Sequence, residues 1–167
     1  PEALRLVDEA RPRAVMLENV RGLSTAKFET YRASICERLA KLGYQSDWQV
    51  LNSSEFGVAQ LRPRFILIAA HPEIFAKFRW PRPNILPPTV GQILYPYMSR
   101  DGWPGAKDWA SKADGVGPTL VGGSRKHGGP DLGPTRARRE WLALGVDGRG
   151  IADEAPNAST PPDHIPR

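Results

Sequence analysis

The stretch "FGVAQLRPRFILIAAH", residues 56–71, places two arginines, Arg62 and Arg64, immediately before an apolar run. The run covers residues 65–70 and is apolar at every position, which is typical of a strand at the centre of a sheet. In an extended chain, residues two apart point to the same side, and Pro63 favours the extended conformation. The stretch therefore predicts a central strand with two guanidinium groups directed at one pocket near its start.

A second strand is predicted upstream, in "RPRAVMLENV", residues 11–20. Its apolar run, residues 14–17, ends at Glu18 and Asn19, and a turn follows at Gly22. This pattern is typical of a buried parallel strand with polar residues at its carboxyl end. Ligands of open α/β sheets gather beyond the carboxyl ends of parallel strands, so we expect the functional site at Glu18 and Asn19.

The segment between these two strands is predicted to contain a helix and a further strand. Apolar residues recur there at spacings of three and four, which indicates an amphipathic helix that ends at Gly43. The apolar positions of this helix are Phe28, Tyr31, Ile35, Leu39 and Leu42. Residues 44–57, "YQSDWQVLNSSEFG", are predicted to form the next strand. The order strand, helix, strand and strand predicts part of an α/β domain.

Composition and charge indicate the kind of partner and exclude some kinds of site. The net charge of +5 and the isoelectric point near 9.7 suit an anionic partner such as nucleic acid. The longest apolar run is far shorter than a membrane span and no leader sequence is recognisable, so we expect a soluble cytoplasmic protein without a membrane partner. A single cysteine, Cys36, excludes an internal disulfide, and the three histidines lack the spacing of a zinc site, so we expect no metal.

The second half of the chain differs from the first in composition, because most of the prolines and glycines lie after Trp80. We predict one domain over residues 1–95 and a small loop-rich region over residues 96–167, with a helix over residues 136–144 and a tryptophan core. The tryptophans are Trp103, Trp109 and Trp141. Basic residues cluster in this region as candidate DNA contacts: Arg125, Lys126, His127, Arg136, Arg138 and Arg139.

Two short motifs carry a resemblance to a known family. The tripeptide "ENV", residues 18–20, ends the first strand, and "QLRPR", residues 60–64, precedes the apolar strand. In this order and spacing they resemble two signature motifs of the DNA (cytosine-5) methyltransferases. The segment "GPTLVGGSRKHGGPDLGPTRAR", residues 117–138, is similar to the target-recognition region of bacterial members. The resemblance implies part of an S-adenosylmethionine-dependent, Rossmann-like methyltransferase domain followed by a loop-rich target-recognition region.

The resemblance also implies roles for five side chains in a base-flipping reaction on double-stranded DNA. Glu18 would donate to N3 of cytosine, and burial at a closed strand end would favour the protonated carboxyl that this requires. Asn19 would brace the neighbouring loop, and Gln60 would close the turn into the strand through its side-chain amide. Arg64 would meet the cytosine O2, and Arg62 would orient the acid and the nucleophile loop.

Several motifs of the family have no counterpart in the sequence. These are the glycine-rich cofactor loop, the Pro-Cys nucleophile and the final Asn-containing motif, and Cys36 does not replace the nucleophile because it lies within the predicted helix without a preceding proline. We therefore expect a partial enzyme of bacterial restriction–modification, associated with the nucleoid and inactive alone, whose missing remainder binds the cofactor. The alternatives are one subunit of a split methyltransferase and a non-catalytic nucleic-acid-binding module.

Overall fold

The computed structural model describes residues 2–83, 86–121 and 131–167. It divides the chain into two compact units, one of residues 1–52 and 63–83 and the other of residues 53–62 and 84–167. These units do not coincide with the predicted division near Tyr95, because residues 53–62 join the second unit and the second unit already begins at residue 84. The assignment of a catalytic and a target-recognition part stays a prediction.

The described residues form six helices and five strands in addition to short 3-10 turns. In the first unit these are α1 (Glu2–Ala10), β1 (Ala14–Val20), α2 (Glu29–Lys41), β2 (Gln45–Asn52), β4 (Pro63–Ala70) and α3 (Pro72–Phe75). In the second unit they are β3 (Gln60–Leu61), α4 (Val90–Met98), α5 (Ala106–Lys112), β5 (Gly117–Pro118) and α6 (Thr135–Ala143).

The first unit is built on a three-stranded sheet in the order β1-β4-β2. The predicted central position of the apolar strand is confirmed, since β4 lies between the other two. The prediction that β1 is a buried parallel strand is wrong, because β1 pairs antiparallel with β4 and most of its side chains are exposed. Both β1 and β2 are antiparallel to β4, so they run in the same direction with β4 inserted between them. An apolar run predicts a strand without specifying the direction of its neighbour.

One face of this sheet packs against α1 and α2. Leu67 and Ala69 of β4 are fully buried, and they share a core with Leu39 of α2 and Leu4 of α1. The predicted face of α2 is buried in its second half, whereas Tyr31 in its first half is 44% exposed. Burying the larger of these side chains contributes about 1.5–3 kcal/mol each, so this core is what holds the sheet against its helices.

The predicted end of α2 at Gly43 is confirmed in detail. Gly43 has φ +89°, its N–H donates to the Ala40 carbonyl, and the Tyr44 N–H donates to the Leu39 carbonyl. This pair of bonds is a Schellman motif, which satisfies carbonyls that the helix end leaves without partners. A residue with a side chain is strained at this backbone angle, so glycine sets the point at which the chain turns into β2.

The second unit has its own core around three tryptophans, as predicted. Trp103, Trp109 and Trp141 are between 3% and 7% exposed, and the indole N–H groups of the first two donate to backbone carbonyls. The predicted helix over residues 136–144 is confirmed as α6. Helix α4 begins with a capping box between Thr89 and Gln92.

None of the helices in the described part of the chain is long and apolar enough to cross a bilayer.

Candidate functional site

The ends of β1 and β4 bring Glu18 and Arg64 together. Because the two strands are antiparallel, the carboxyl end of β1 lies beside the amino end of β4, with Val20 opposite Arg64 and Glu18 opposite Ile66. Glu18 and Arg64 are therefore diagonal neighbours on one face of the sheet, where long side chains reach each other. Arg64 Nε lies 2.5 Å from Glu18 Oε1, so the pair is a short ion pair. The structure thus brings together two residues that the sequence motifs assign to one site.

The surroundings of this pair decide what it can contact. The Glu18 side chain is 53% exposed and the Arg64 side chain 24% exposed, so the burial predicted for Glu18 is absent in this unit. Arg64 Nη1 donates to the Pro63 carbonyl at 2.9 Å, which fixes the guanidinium plane. These two contacts use two of the five N–H groups of an arginine, and among the residues that the structure describes no further acceptor is recorded for the others. The Arg64 guanidinium is thus fixed by two contacts within the protein, while the Glu18 side chain is exposed and accessible to a ligand.

Asn19 lies where β1 gives way to the 3-10 turn Arg21–Ser24. Its side-chain oxygen accepts a hydrogen bond of 2.8 Å from the Val20 backbone N–H. A side chain that binds its own neighbour restrains the backbone locally and competes with continuation of the strand. The bracing role predicted for Asn19 toward the neighbouring loop stays a prediction.

Gln60 and Arg62 belong to the second compact unit, whereas Arg64 belongs to the first. Gln60 lies in β3, and its backbone closes the turn: the Ser53 hydroxyl donates to the Gln60 carbonyl at 2.7 Å, and the Gln60 N–H donates to the Val58 carbonyl. The role predicted for the Gln60 side-chain amide stays a prediction. Arg62 lies between β3 and β4, and its role toward the acid stays a prediction.

Cys36 occupies the position predicted for it, half-buried on α2. Its sulfur accepts a hydrogen bond of 3.3 Å from the indole N–H of Trp48, which in turn stacks on Phe65 with ring centroids 4.6 Å apart. The cysteine is therefore a packing residue between helix and sheet.

The basic residues predicted on α6 differ in their surroundings. Arg136 is 91% exposed and pairs with Glu140 one turn later, whereas Arg138 is 33% exposed and lies 3.6 Å from the buried carboxylate of Asp131. Arg139 is exposed. The other three predicted contacts lie outside the described residues: Arg125, Lys126 and His127.

Two further arginines of the second unit were missed by sequence reasoning. Arg149 and Arg167 both donate to the carboxylate of Asp147, from Nε at 2.8 Å and 3.0 Å respectively. These bonds, first of all those from Arg149, hold the pKa of Asp147 well below its ordinary value. The spacing of "DGRG", residues 147–150, is a local signal for the Arg149 contact, but nothing in the sequence connects Asp147 to Arg167, 20 residues away.

The family model of the C-5 cytosine-specific DNA methylases matches residues 1–122. The type II methyltransferase M.NaeI of Lentzea aerocolonigenes is 53% identical over 154 residues, which are 92% of this chain and 37% of that protein. The type II methyltransferase M.NgoMIV of Neisseria gonorrhoeae is 50% identical over 122 residues, which are 72% of this chain and 39% of that protein. The chain thus spans well under half the length of these relatives.

A solved structure supports the fold. A triple mutant of Spodoptera frugiperda DNMT2 superposes with a TM-score of 0.51 and 14% identity, over 85% of this chain and 49% of that chain. At this identity the likeness concerns the fold alone. The fold is therefore α/β and corresponds to part of a Rossmann-like methyltransferase domain, as the motifs predicted.

Proposed function

The chain belongs to the C-5 cytosine-specific DNA methylase family, and on that premise we propose that it supplies the groups that activate the cytosine ring in a bacterial DNA (cytosine-5) methyltransferase of a restriction–modification system. The observation that carries this proposal is the ion pair between Glu18 near the carboxyl end of β1 and Arg64 near the amino end of β4. The two residues come from the two motifs of the family resemblance, and they meet on one face of one sheet.

The chemistry of cytosine explains why an acid and an arginine are needed together. Carbon 5 is a poor nucleophile until a thiolate adds to carbon 6, and this addition places electron density on N3 and O2 of the ring. In the closed site of the complete enzyme, Glu18 would act in its protonated form. One carboxyl oxygen would give its proton to N3 as the carbon–sulfur bond forms, and the other would accept a hydrogen bond from the exocyclic amine. The base must leave the duplex to reach this carboxyl, so the substrate is a flipped cytosine.

Arg64 would stabilise the charge that develops on the ring. Its Nε holds Glu18 and its Nη1 binds the Pro63 carbonyl, so the rest of the planar fork is left at a fixed orientation for the cytosine O2. Fixed donors aimed at a developing charge are worth most when the site is closed to water. Arg62, two residues away, is proposed to orient the acid and the nucleophile loop when the enzyme is complete.

S-adenosylmethionine would supply the methyl group. The residues at the carboxyl end of β1 do not fit it, since Glu18 is paired with Arg64 and the Asn19 oxygen is engaged by its own neighbour. The sequence also lacks a glycine-rich turn of the kind that admits a nucleotide to a strand end. We therefore assign no residue of this chain to the cofactor and propose that other parts of the enzyme bind it.

The exposed side of β1 supports the need for those other parts. β1 is an outer strand of its sheet, and within the described ranges no strand pairs with its outer edge. Met16 and Val20 on one of its faces are 70% and 60% exposed, and an apolar groove of about 360 Å³ runs between α1 and β1. Exposed edges and apolar surfaces of this kind are normally covered. We propose that the remainder of the methyltransferase, in the same chain or in a partner subunit, packs there.

The first prediction concerns the 167-residue chain by itself. We expect no methyl transfer to duplex DNA and no measurable binding of S-adenosylmethionine, because the nucleophile and the cofactor loop lie outside it. Adding the remaining portion of a relative such as M.NaeI in trans is expected to restore transfer. The measurement is incorporation of a labelled methyl group into duplex DNA by each part and by the mixture, and the mixture with Glu18→Gln is the control.

The outcomes of this experiment separate the candidate functions. Methyl transfer by the chain alone would contradict the proposal that it is partial. DNA binding without any transfer in the mixture would favour the non-catalytic nucleic-acid-binding module, which the net charge of +5 of the whole chain also fits. Transfer in the mixture of two separately folded parts would support the split-subunit form of the proposal.

A second prediction concerns the arginines of α6, which we propose contact DNA phosphates. Neutralising Arg136, Arg138 and Arg139 to glutamine should flatten the plot of log affinity against log salt by about 0.9 for each lost phosphate contact. The rate of a single turnover on saturating DNA should change little, because phosphate contacts position the enzyme without taking part in the chemistry. A control variant removes the same charge from the first unit, at Arg5, Arg11 and Lys41. An unchanged salt slope would contradict the assignment.

A further inference from the structure

The carboxylate of Asp147 is buried and is completely engaged by two arginines. Its side chain is 10% exposed, Oδ1 accepts from the Arg149 backbone N–H and from Arg149 Nε, and Oδ2 accepts from Arg149 Nη2 and from Arg167 Nε. The Asp147 N–H donates to the Pro166 carbonyl at 2.8 Å, which fixes the backbone as well. Two guanidinium groups around one carboxylate leave a net positive charge, held in a defined geometry.

Arg149 and Arg167 are held by the buried carboxylate of Asp147, but their side chains are largely exposed. The side chain of Arg149 is 75% exposed and that of Arg167 is 58% exposed, so both side chains are accessible to a ligand. A guanidinium that is free on the surface loses much rotamer entropy when it binds a ligand. A guanidinium already held by a buried carboxylate has lost most of that freedom in advance, which favours binding of an anion.

Arg149 lines a groove together with arginines of α6. The groove has a volume of about 470 Å³, and Arg138, Arg139, Asp147 and Arg149 are the charged residues that line it. Three arginines thus line the groove together with one aspartate, whose carboxylate oxygens already accept hydrogen bonds. The groove has an apolar side at Leu142 and its remaining walls at Thr135 and Gly148.

A second buried carboxylate holds a second arginine of this groove. Asp131 is 7% exposed, and its Oδ2 lies 3.6 Å from Arg138 Nη1. Gly148 lets the chain pass close beside this arginine, since a Cβ at residue 148 would lie 3.2 Å from Arg138 Cγ and 3.3 Å from its Cα. Two arginines that line the groove, Arg138 and Arg149, are therefore each paired with a buried aspartate.

We propose that this groove binds a backbone phosphate of duplex DNA and that Asp147 is a positioning residue that acts through Arg149. A guanidinium fork matches two oxygens of a phosphate, which is why oriented arginines suit this anion. Phosphate contacts fix the orientation of a protein on DNA without reading the sequence. The inference rests on the proposed function and adds Arg149 to the contacts on α6.

The test is a salt titration of duplex binding by the 167-residue chain and two variants. Arg149→Gln removes the proposed phosphate contact and is expected to reduce the slope of log affinity against log salt by about 0.9. Asp147→Asn is expected to weaken binding and to reduce the slope similarly, because the asparagine amide presents N–H groups to donors and releases Arg149. Asp147→Asn makes the protein more positive, so an effect of net charge alone would strengthen binding.

The matched control is Arg100→Gln, which removes an exposed arginine that pairs with a neighbouring aspartate, Asp101, at 3.4 Å. Arg100→Gln lowers the net charge by one, as Arg149→Gln does. We do not expect it to reduce the slope of log affinity against log salt by the value of about 0.9 that one lost phosphate contact would remove. Binding by Asp147→Asn that equals or exceeds that of the parent would overturn the positioning role. Should Asp147→Asn fail to fold, as judged by circular dichroism, Arg149→Gln decides, and its agreement with Arg100→Gln would overturn the site.

Failure of the inference and failure of the proposed function give different results. If the parent chain binds duplex DNA and neither groove variant differs from Arg100→Gln, the groove assignment is wrong and the methyltransferase proposal is untouched. If the parent chain does not bind duplex DNA at all, the groove proposal is overturned together with the proposed DNA contacts of the second unit.

Discussion

Replacing Glu18 with glutamine in the complete enzyme is expected to slow methyl transfer by roughly 10²–10⁴-fold, the usual contribution of a general acid. Glutamine is close to the carboxyl in shape but cannot give a proton to N3 as the ring charge develops. DNA affinity should change far less, because the proton matters in the transition state and not in the bound ground state. The measurements are single-turnover methylation on saturating duplex and equilibrium binding to the same duplex.

The matched control for this variant is Glu37→Gln. Glu37 is also an exposed carboxylate in an ion pair, with Lys41 at 2.7 Å on α2, but it has no proposed part in the reaction. Its rate is expected to equal that of the parent. Equal losses of rate and affinity in Glu18→Gln would show that Glu18 holds the structure together and does not act on the base.

Replacing Arg64 with lysine is expected to slow the chemical step by roughly 10²–10³-fold, the typical cost of losing one preorganised donor. Charge is conserved, but lysine cannot hold Glu18, the Pro63 carbonyl and the cytosine O2 at once as a planar fork can. The slope of log affinity against log salt should remain that of the parent. Arg5→Lys is the control, since Arg5 is paired with glutamates on α1 away from the site.

The ion pair makes the two substitutions interdependent. Because Arg64 touches Glu18, part of the loss in Arg64→Lys comes from a misplaced acid, and that part is already absent in Glu18→Gln. The double variant should therefore be faster than the product of the two single effects predicts, with a coupling of at least about 0.5 kcal/mol. Strictly additive effects would indicate that the ion pair has no part in catalysis. An Arg64→Lys enzyme that runs at the parent rate would contradict the role given to Arg64.

Local patterns allowed the central elements to be predicted from sequence. The unbroken apolar run before His71 identified β4 as a central strand, and the helix spacing with Gly43 fixed α2 and its end. Two motifs 42 residues apart placed Glu18 and Arg64 in one candidate site, and the structure brings the two side chains together, while their roles stay predictions. The predictions of β4 and α2 were confirmed because each depends on residues close in sequence.

The remaining features depend on contacts that the sequence does not encode locally. The insertion of β4 between β1 and β2 is a property of the sheet as a whole, and so the direction of β1 was predicted wrongly. Asp147 and Arg167 meet only because the segment after α6 folds back within the second unit.

The central claim is that Glu18 and Arg64 act together on a flipped cytosine, and a crystal structure of the complete enzyme on a duplex that contains its target base tests it most directly. We expect the Glu18 carboxyl to lie within about 2.6–3.2 Å of N3 of the extruded cytosine, with an Arg64 nitrogen at a similar distance from O2. A structure in which the base is extruded into a pocket lined by other residues, with Glu18 bound to Arg64 alone, would contradict it.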